Sequence, residues 1–223
     1  MGYGIQVEVW GDYALFTRPE MKVERVSYDV MTPSAARGLI TAIYWKPAIK
    51  WVIDSIAVCK EIRFTNIRRN EQSQKILAGN VQSAINRGQL PEPLYTTEGI
   101  QQRASMVLKD VRYVITAHFE LTDKAGPEDT KEKHYNIVMR RLRNGQCYHQ
   151  PCFGCREFPA HFKLWEDGNP PAIEEDRQLG YMLYDMDYSE VDAGKREPRI
   201  APQFFRAQLK QGVLDLRDCE VVQ

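Results

Sequence analysis

"TKEKHYNIVMRRLRNG", residues 130–145, is the stretch whose reading decides the fold. Tyr135, Val138, Met139 and Leu142 recur at i, i+3, i+4 and i+7, which gives one apolar stripe along a helix. Thr130, or Asp129 just before it, can cap the start, and Gly145 suits the exit. A stripe of this kind needs a sheet to cover. "VLKDVRYVITAHFELT" (107–122) on one side and "FGCREFPAHFKLW" (153–165) on the other both read as strands.

Further out the pattern repeats. "GIQVEVWG" (4–11) alternates, with Ile5, Val7 and Val9 on one face and Gln6 and Glu8 on the other. "TPSAARGLITAIYWKP" (32–47) is a second amphipathic helix. Thr32 is its cap, Pro33 takes the first helical position, and Pro47 stops it near Tyr44. "WVIDSIAVCKEIRFTNI" (51–67) reads as one long strand or two short ones. Residues 68–104 are polar and rich in Gln and Asn, an excursion with a short helix over 73–87. The order β, α, β, excursion, β, α, β predicts an α+β fold: a ferredoxin-like (RRM-like) βαββαβ domain over 1–165 with an insertion at about 68–104. "LGYMLYDMDY" (179–188) and "QFFRAQLKQGVLDL" (203–216), turning near 210–212, make 166–223 a small β-rich C-terminal domain.

The 223 residues are 43% hydrophobic, enough for one core and a second small domain. Lys+Arg and Asp+Glu are both 30, but they are unevenly spread. Lys131 to Arg143 holds five basic residues and one acidic; Glu166 to Lys195 holds nine acidic and two basic. The basic middle points weakly to nucleic acid, and two solvated surfaces of opposite sign account for it as well. No apolar run approaches the roughly 20 residues of a membrane span. No signal-type leader is present, and Gln6 breaks a myristoylation pattern. The expectation is a soluble cytoplasmic protein, with its five cysteines reduced.

Lys133 and His134 fall in the first turn of the 130–145 helix. That end already carries positive dipole potential, so cations there run against local preference. Phosphodiester chemistry would need them. RNA brings its own nucleophile, the 2′-OH, and so requires no metal or cofactor. What it requires is proton transfer and charge stabilisation on the phosphorane. Histidine titrates near neutral pH, and lysine is a point charge for a phosphoryl oxygen. An exposed lysine beside a half-buried histidine on an ordinary helix fits the same letters.

Several longer words narrow this. "GDYALFTRPE" (11–20), "TPSAARGLITAIYWKPAI" (32–49), "LKDVRYVITAHFEL" (108–121), "KHYNIVMRRLRNG" (133–145) and "FGCREFPAHF" (153–162) occur in that order. Together they closely resemble the Cas-five protein of subtype I-C CRISPR systems, the Dvulg-type branch. The resemblance covers most of 4–165 and, more loosely, the tail to about 216. It implies a metal-independent endoribonuclease that cuts the repeat of the precursor CRISPR RNA. It also implies that the protein stays on the guide RNA, with the backbone and large subunits of the type I-C surveillance complex as partners. Some family members are associated with weak DNA binding or cleavage. The family's catalytic tyrosine falls on Tyr44 in "IYWKP", and its lysine and histidine fall on Lys133 and His134 in "KHY". Two helices packed antiparallel on one sheet face would bring the end of the first to the start of the second. Tyr44 is then expected to align the 2′-OH, Lys133 to stabilise the phosphorane, and His134 to act as general acid or base. A subunit that only caps the 5′ end of the guide RNA is the alternative.

Other residues carry weaker signals. Arg63, Arg68, Arg69, Arg140, Arg141 and Arg143 are candidates for an RNA-phosphate track, about half of them in contact. Arg140 and Arg141 cannot both share a helix face with His134. Cys147, His149, Cys152 and Cys155 form a compact C-x-H-x-x-C-x-x-C set. Zinc could use it, but one C-x-x-C without a second pair is weak and the cage would be tight, so no metal is assigned. Asp185 and Asp187 share a strand face and read as solvated acids rather than a metal site.

Overall fold

The computed structural model describes residues 3–21, 23–91, 93, 95, 97–188 and 200–223. The N-terminal alternation forms β1 (Gly4–Ala14), and a short β2 (Arg25–Val26) follows. Helix α1 (Pro33–Ile43) starts at its cap, where Thr32 Oγ1 accepts from Ala35 N at 3.2 Å. The apolar stretch after it divides into β3 (Ile49–Val58) and β4 (Phe64–Gln72), the two-strand option of the sequence. Helix α2 (Ala78–Asn86) lies inside the excursion, and β5 (Ile100–Leu121) returns from it. Then come α3 (Lys131–Arg143), β6 (His161–Leu164), β7 (Arg177–Asp187), β8 (Ala201–Lys210), β9 (Val213–Asp215) and β10 (Val221–Val222).

The strands form one sheet in the order β10-β8-β9-β3-β5-β1-β6, with β2 and β4 also on β5 and β7 on β8. The chain is thus a β-rich α/β protein with few helices. Strand β5 is the spine. Its second half pairs antiparallel with β1 and β3, while its first half pairs with β4 as a projecting arm. Asp110 sits between the halves at φ +55, a conformation that Asp tolerates better than most residues. Lys60 and Arg63 hold its carboxylate at 2.6 and 2.9 Å. The tail expected as a small β-rich domain carries β7 to β10, and β9 pairs with β3, so its strands extend the same sheet.

Helices α1 and α3 bury one face of this sheet. Ala36, Leu39, Ile40 and Ile43 of α1 and Val138 and Leu142 of α3 pack with Ile5, Val7, Val9, Ile115 and Phe119 in one core. One expectation is corrected in detail. The strand expected over 153–165 is only His161–Leu164. Gly154 adopts φ +83, and a Cβ there would meet Leu15 O at 2.0 Å, so the chain turns instead of extending. The turn expected near 210–212 is present: Gln211 and Gly212, both at positive φ, separate β8 from β9.

Candidate active site

Helix α1 ends because Tyr44 leaves the helical region, at φ −151 and ψ 125. Its N–H still closes on Ile40 O at 2.9 Å, and its carbonyl accepts from Trp51 Nε1 at 2.8 Å. The residue is therefore pinned from both sides, and its ring is directed into the protein. Helix α3 begins at Thr130, whose Oγ1 accepts from Lys133 N at 3.2 Å. That cap places Lys133 and His134 in the first turn.

The two helix ends meet. Tyr44 Oη lies 2.7 Å from His134 Nδ1, across 90 residues of chain. Both residues are only 1% exposed. The Phe119 ring stands edge-on to the imidazole at 6.2 Å. On the other side of the ring, Nε2 lies 3.3 Å from Asp129 Oδ1. It is buried there and makes no hydrogen bond, because the two atoms are close without being aligned. Lys133 is exposed; its Nζ donates to Glu128 O at 2.9 Å and stands 3.7 Å from the same Asp129 oxygen.

Burial sets the titration of the pair. It pushes His134 below its ordinary value of 6.5; Asp129 opposes this, while Lys133 and Lys46 add to it. It pushes Tyr44 up, against the pull of Arg141, so the phenol keeps its proton at neutral pH. Asp129 is held below the usual carboxylate range, first by the Gly126 N–H and then by Lys133 and His134. The carboxylate thus stays charged beside Nε2. A negative neighbour favours the tautomer with its proton on Nε2, with Tyr44 donating to Nδ1. A lysine, a proton-bearing imidazole nitrogen and the anion between them make a position suited to a phosphate.

Of the six arginines, Arg141 joins this site. Its Nη1 donates to Ile43 O at 2.6 Å, and its guanidinium stands 5.1 Å over the Tyr44 ring. Arg140 is exposed on another side of α3, as the helix geometry requires. Arg143 pairs with Glu166 at 3.0 Å. Arg63, Arg68 and Arg69 belong to the arm and its base. Arg63 binds Asp110, Arg69 binds Glu157 and Ser105, and Arg68 is exposed on β4.

Among the described residues no His, Cys, Asp and Glu cluster has the form of a metal site, the Cys147–Cys155 set included. Asp185 pairs with Arg37 at 2.6 Å, and Asp187 accepts from Gln223. In the sequence Asp129 reads only as an alternative helix cap. The available signal was the Asp-Thr step before Lys133 and His134, which sets a carboxylate one residue ahead of the cap.

This fold is shared with CRISPR-associated proteins. A solved structure titled "Crystal Structure of CRISPR-associated Protein" overlays with a TM-score of 0.69 at 20% identity, covering 100% of this chain and 97% of that one. A chain of a "CRISPR RNA-guided surveillance complex" overlays at 0.52 and 13% identity, covering 95% and 91%. The particular family follows from sequence. Residues 4–217 match the model Cas_Cas5d, described as CRISPR-associated protein (Cas_Cas5). The chain is 51% identical over 224 residues to "CRISPR pre-crRNA endoribonuclease Cas5d" of Mannheimia succiniciproducens, covering 97% of this chain and 96% of that protein. The chain belongs to the Cas5d family of CRISPR-associated proteins.

Proposed function

We propose that this chain is an endoribonuclease that cuts the repeat of CRISPR precursor RNA without a metal. It then stays on the guide RNA as a subunit of the type I-C surveillance complex. The observation that carries the reading is the 2.7 Å contact of Tyr44 Oη with His134 Nδ1, with Lys133 and Asp129 beside the opposite nitrogen. Near-full-length similarity to a protein named as a pre-crRNA endoribonuclease supports it. The strand order β3-β5-β1-β6, antiparallel throughout, supports a split βαβ, ferredoxin-like core beneath the two helices.

In this mechanism the scissile phosphate takes the place of the Asp129 carboxylate between Lys133 and His134. The 2′-oxygen attacks phosphorus, its proton passing to solvent water, and the P–O5′ bond breaks as the 5′-oxygen leaves. Lys133 Nζ carries the charge that builds on the phosphorane. In its imidazolium form His134 gives its Nε2 proton to the leaving oxygen and returns to the neutral ring, a contribution of roughly 10²–10⁴ in rate. Tyr44, bonded to Nδ1, fixes the ring and its tautomer. Its alignment of the 2′-OH requires that bond to open. The products carry a 2′,3′-cyclic phosphate and a 5′-OH.

A second reading makes the chain a non-catalytic subunit that caps the 5′ end of the guide RNA. The burial of Tyr44 and His134 favours it, since substrate must displace Asp129 to reach Nε2. One experiment separates them. Repeat RNA is incubated with the protein in EDTA, alongside His134→Ala and an RNA with a 2′-deoxy scissile nucleotide. The nuclease reading expects cutting by the wild type only, and only of the unmodified RNA. Tight binding without cutting by the wild type leaves the capping subunit.

A further inference from the structure

Three segments converge at the C-terminal end of α1. The first is Tyr44 to Lys46 itself. The second is the 122–130 loop, whose Thr122 Oγ1 donates to Pro47 O at 2.6 Å and which ends on Asp129 and Thr130. The third is the loop after α3, whose Tyr148 and His149 N–H groups both donate to Ala42 O at 3.0 Å. These bonds set large aromatic side chains around the buried pair but outside it. Trp45 is 53% exposed and Tyr148 is 74% exposed, with the His149 ring edge-on to Tyr148 at 4.3 Å.

Trp45 directly follows a residue that is 1% exposed, in a segment pinned by hydrogen bonds on both sides. Its outward direction is therefore fixed by the fold. Leaving an indole half in water costs the burial free energy a core site would supply. The cations nearby are Lys46, which faces His134 closely enough to perturb it, and the exposed Lys133. The acids nearby are Glu128, Asp129 and Glu132, and Asp129 is already occupied by Lys133 and His134. Aromatic faces interleaved with lysines are the equipment of single-stranded nucleic-acid recognition. The rings stack on bases of any sequence, and the cations follow the backbone.

We propose that Trp45 and Tyr148 are stacking platforms for the unpaired nucleotides that flank the scissile phosphate. The ligand class is an unstacked nucleobase of single-stranded RNA. The inference rests on the proposed nuclease reading, because it places the scissile phosphate at Lys133 and His134. It adds how the flanking bases are held so that the phosphate between them is presented. It also accounts for the exposure of two rings that the proton chemistry does not use.

The test places 2-aminopurine, whose fluorescence falls on stacking, on either side of the scissile phosphate of a repeat RNA. Binding, fluorescence and single-turnover cleavage are measured for wild type, Trp45→Ala, Trp45→Phe and Tyr148→Ala. Thermal melts check that each variant is folded. The expected result is fluorescence quenching by the wild type that is lost at one flanking position in each alanine variant. Kd rises about tenfold for each, from the usual worth of one base stack. Cleavage at saturating protein also slows, because the phosphate is less well presented, and Trp45→Phe restores most of all three signals. Unchanged quenching and Kd in folded Trp45→Ala and Tyr148→Ala overturn the proposal and leave the rings to a protein neighbour. A wild type that binds and quenches but never cuts sinks the nuclease reading alone.

Discussion

Asp129 governs the proton that the proposed reaction moves. Its carboxylate stands 3.3 Å from His134 Nε2 and pulls the imidazole upward against the larger downward push of burial. Removing the charge leaves burial, Lys133 and Lys46 all acting in one direction, so the His134 pKa falls further. Asp129→Asn is accordingly expected to move the histidine-dependent limb of the cleavage pH profile toward lower pH. The same shift should appear in the imidazole signals of a free-protein NMR titration. A limb that stays in place, or moves up, removes Asp129 from any part in setting the proton. Arg141 works on the other member of the pair, lowering a Tyr44 that burial raises. The sequence singled out Tyr44, Lys133 and His134 as candidates because each lies in a distinctive word. It could not show that Tyr44 and His134 touch, since 90 residues separate them and only packing of α1 against α3 closes the gap. It could not show the second role of Asp129 either, because a carboxylate before a helix cap is common for local reasons.

At the scale of elements, the first turn of α3 is held by one side chain. Thr130 Oγ1 accepts from Lys133 N at 3.2 Å, and His134 N closes on Thr130 O at 3.2 Å. Losing a cap of this kind costs about 1 kcal/mol. Thr130→Ala is therefore expected to lower Tm by a few degrees. It should lower the cleavage rate by more than that destabilisation explains, because the turn that frays carries Lys133 and His134. Thr130→Ser keeps the oxygen and should restore both; a Ser variant as slow as the Ala variant would point to the methyl group instead. The helices were legible for the same physical reason that they form. Their apolar positions follow the helical period, and both have clear caps. The strand expected over 153–165 was misread because hydrophobic content there serves a turn, with Phe153 and Phe158 packed in the core around Gly154. The β4–β5 arm was hidden for the opposite reason. Its β4 side chains are exposed or half-buried throughout, so they carry no clean apolar face for a sequence pattern to mark.

The described strands form one sheet, which makes the C-terminal part and the internal excursion unequal in what can be removed. Met182, Phe205, Ala207, Leu209 and Leu214 share a core with α1 and β3, and β9 pairs with β3. A chain ending at residue 165 would bare that core and leave the outer edge of β3, opposite β5, unpaired, and is expected to be insoluble on expression. Residues 74–98 are different. Ser73 N already bonds Gly99 O at 3.0 Å, so the chain closes there before the excursion begins. Among the described residues between 74 and 98 only Ala84 is buried, and it lies outside the main core cluster. A two-residue turn joining Ser73 to Gly99 should therefore leave Tm nearly unchanged. Repeat-RNA affinity should also stay within about threefold, because neutralised phosphates dominate such affinity. The excised stretch holds Lys75 and Arg87 against Glu92 and Glu98, no net positive charge, and its exposed residues Ile76, Leu77, Ile85 and Leu90 are apolar. Filter binding at two salt concentrations measures this directly. A loss of tenfold or more, with a shallower salt dependence, would make the excursion an RNA grip and move the centre of recognition away from the Tyr44–His134 end of the helices.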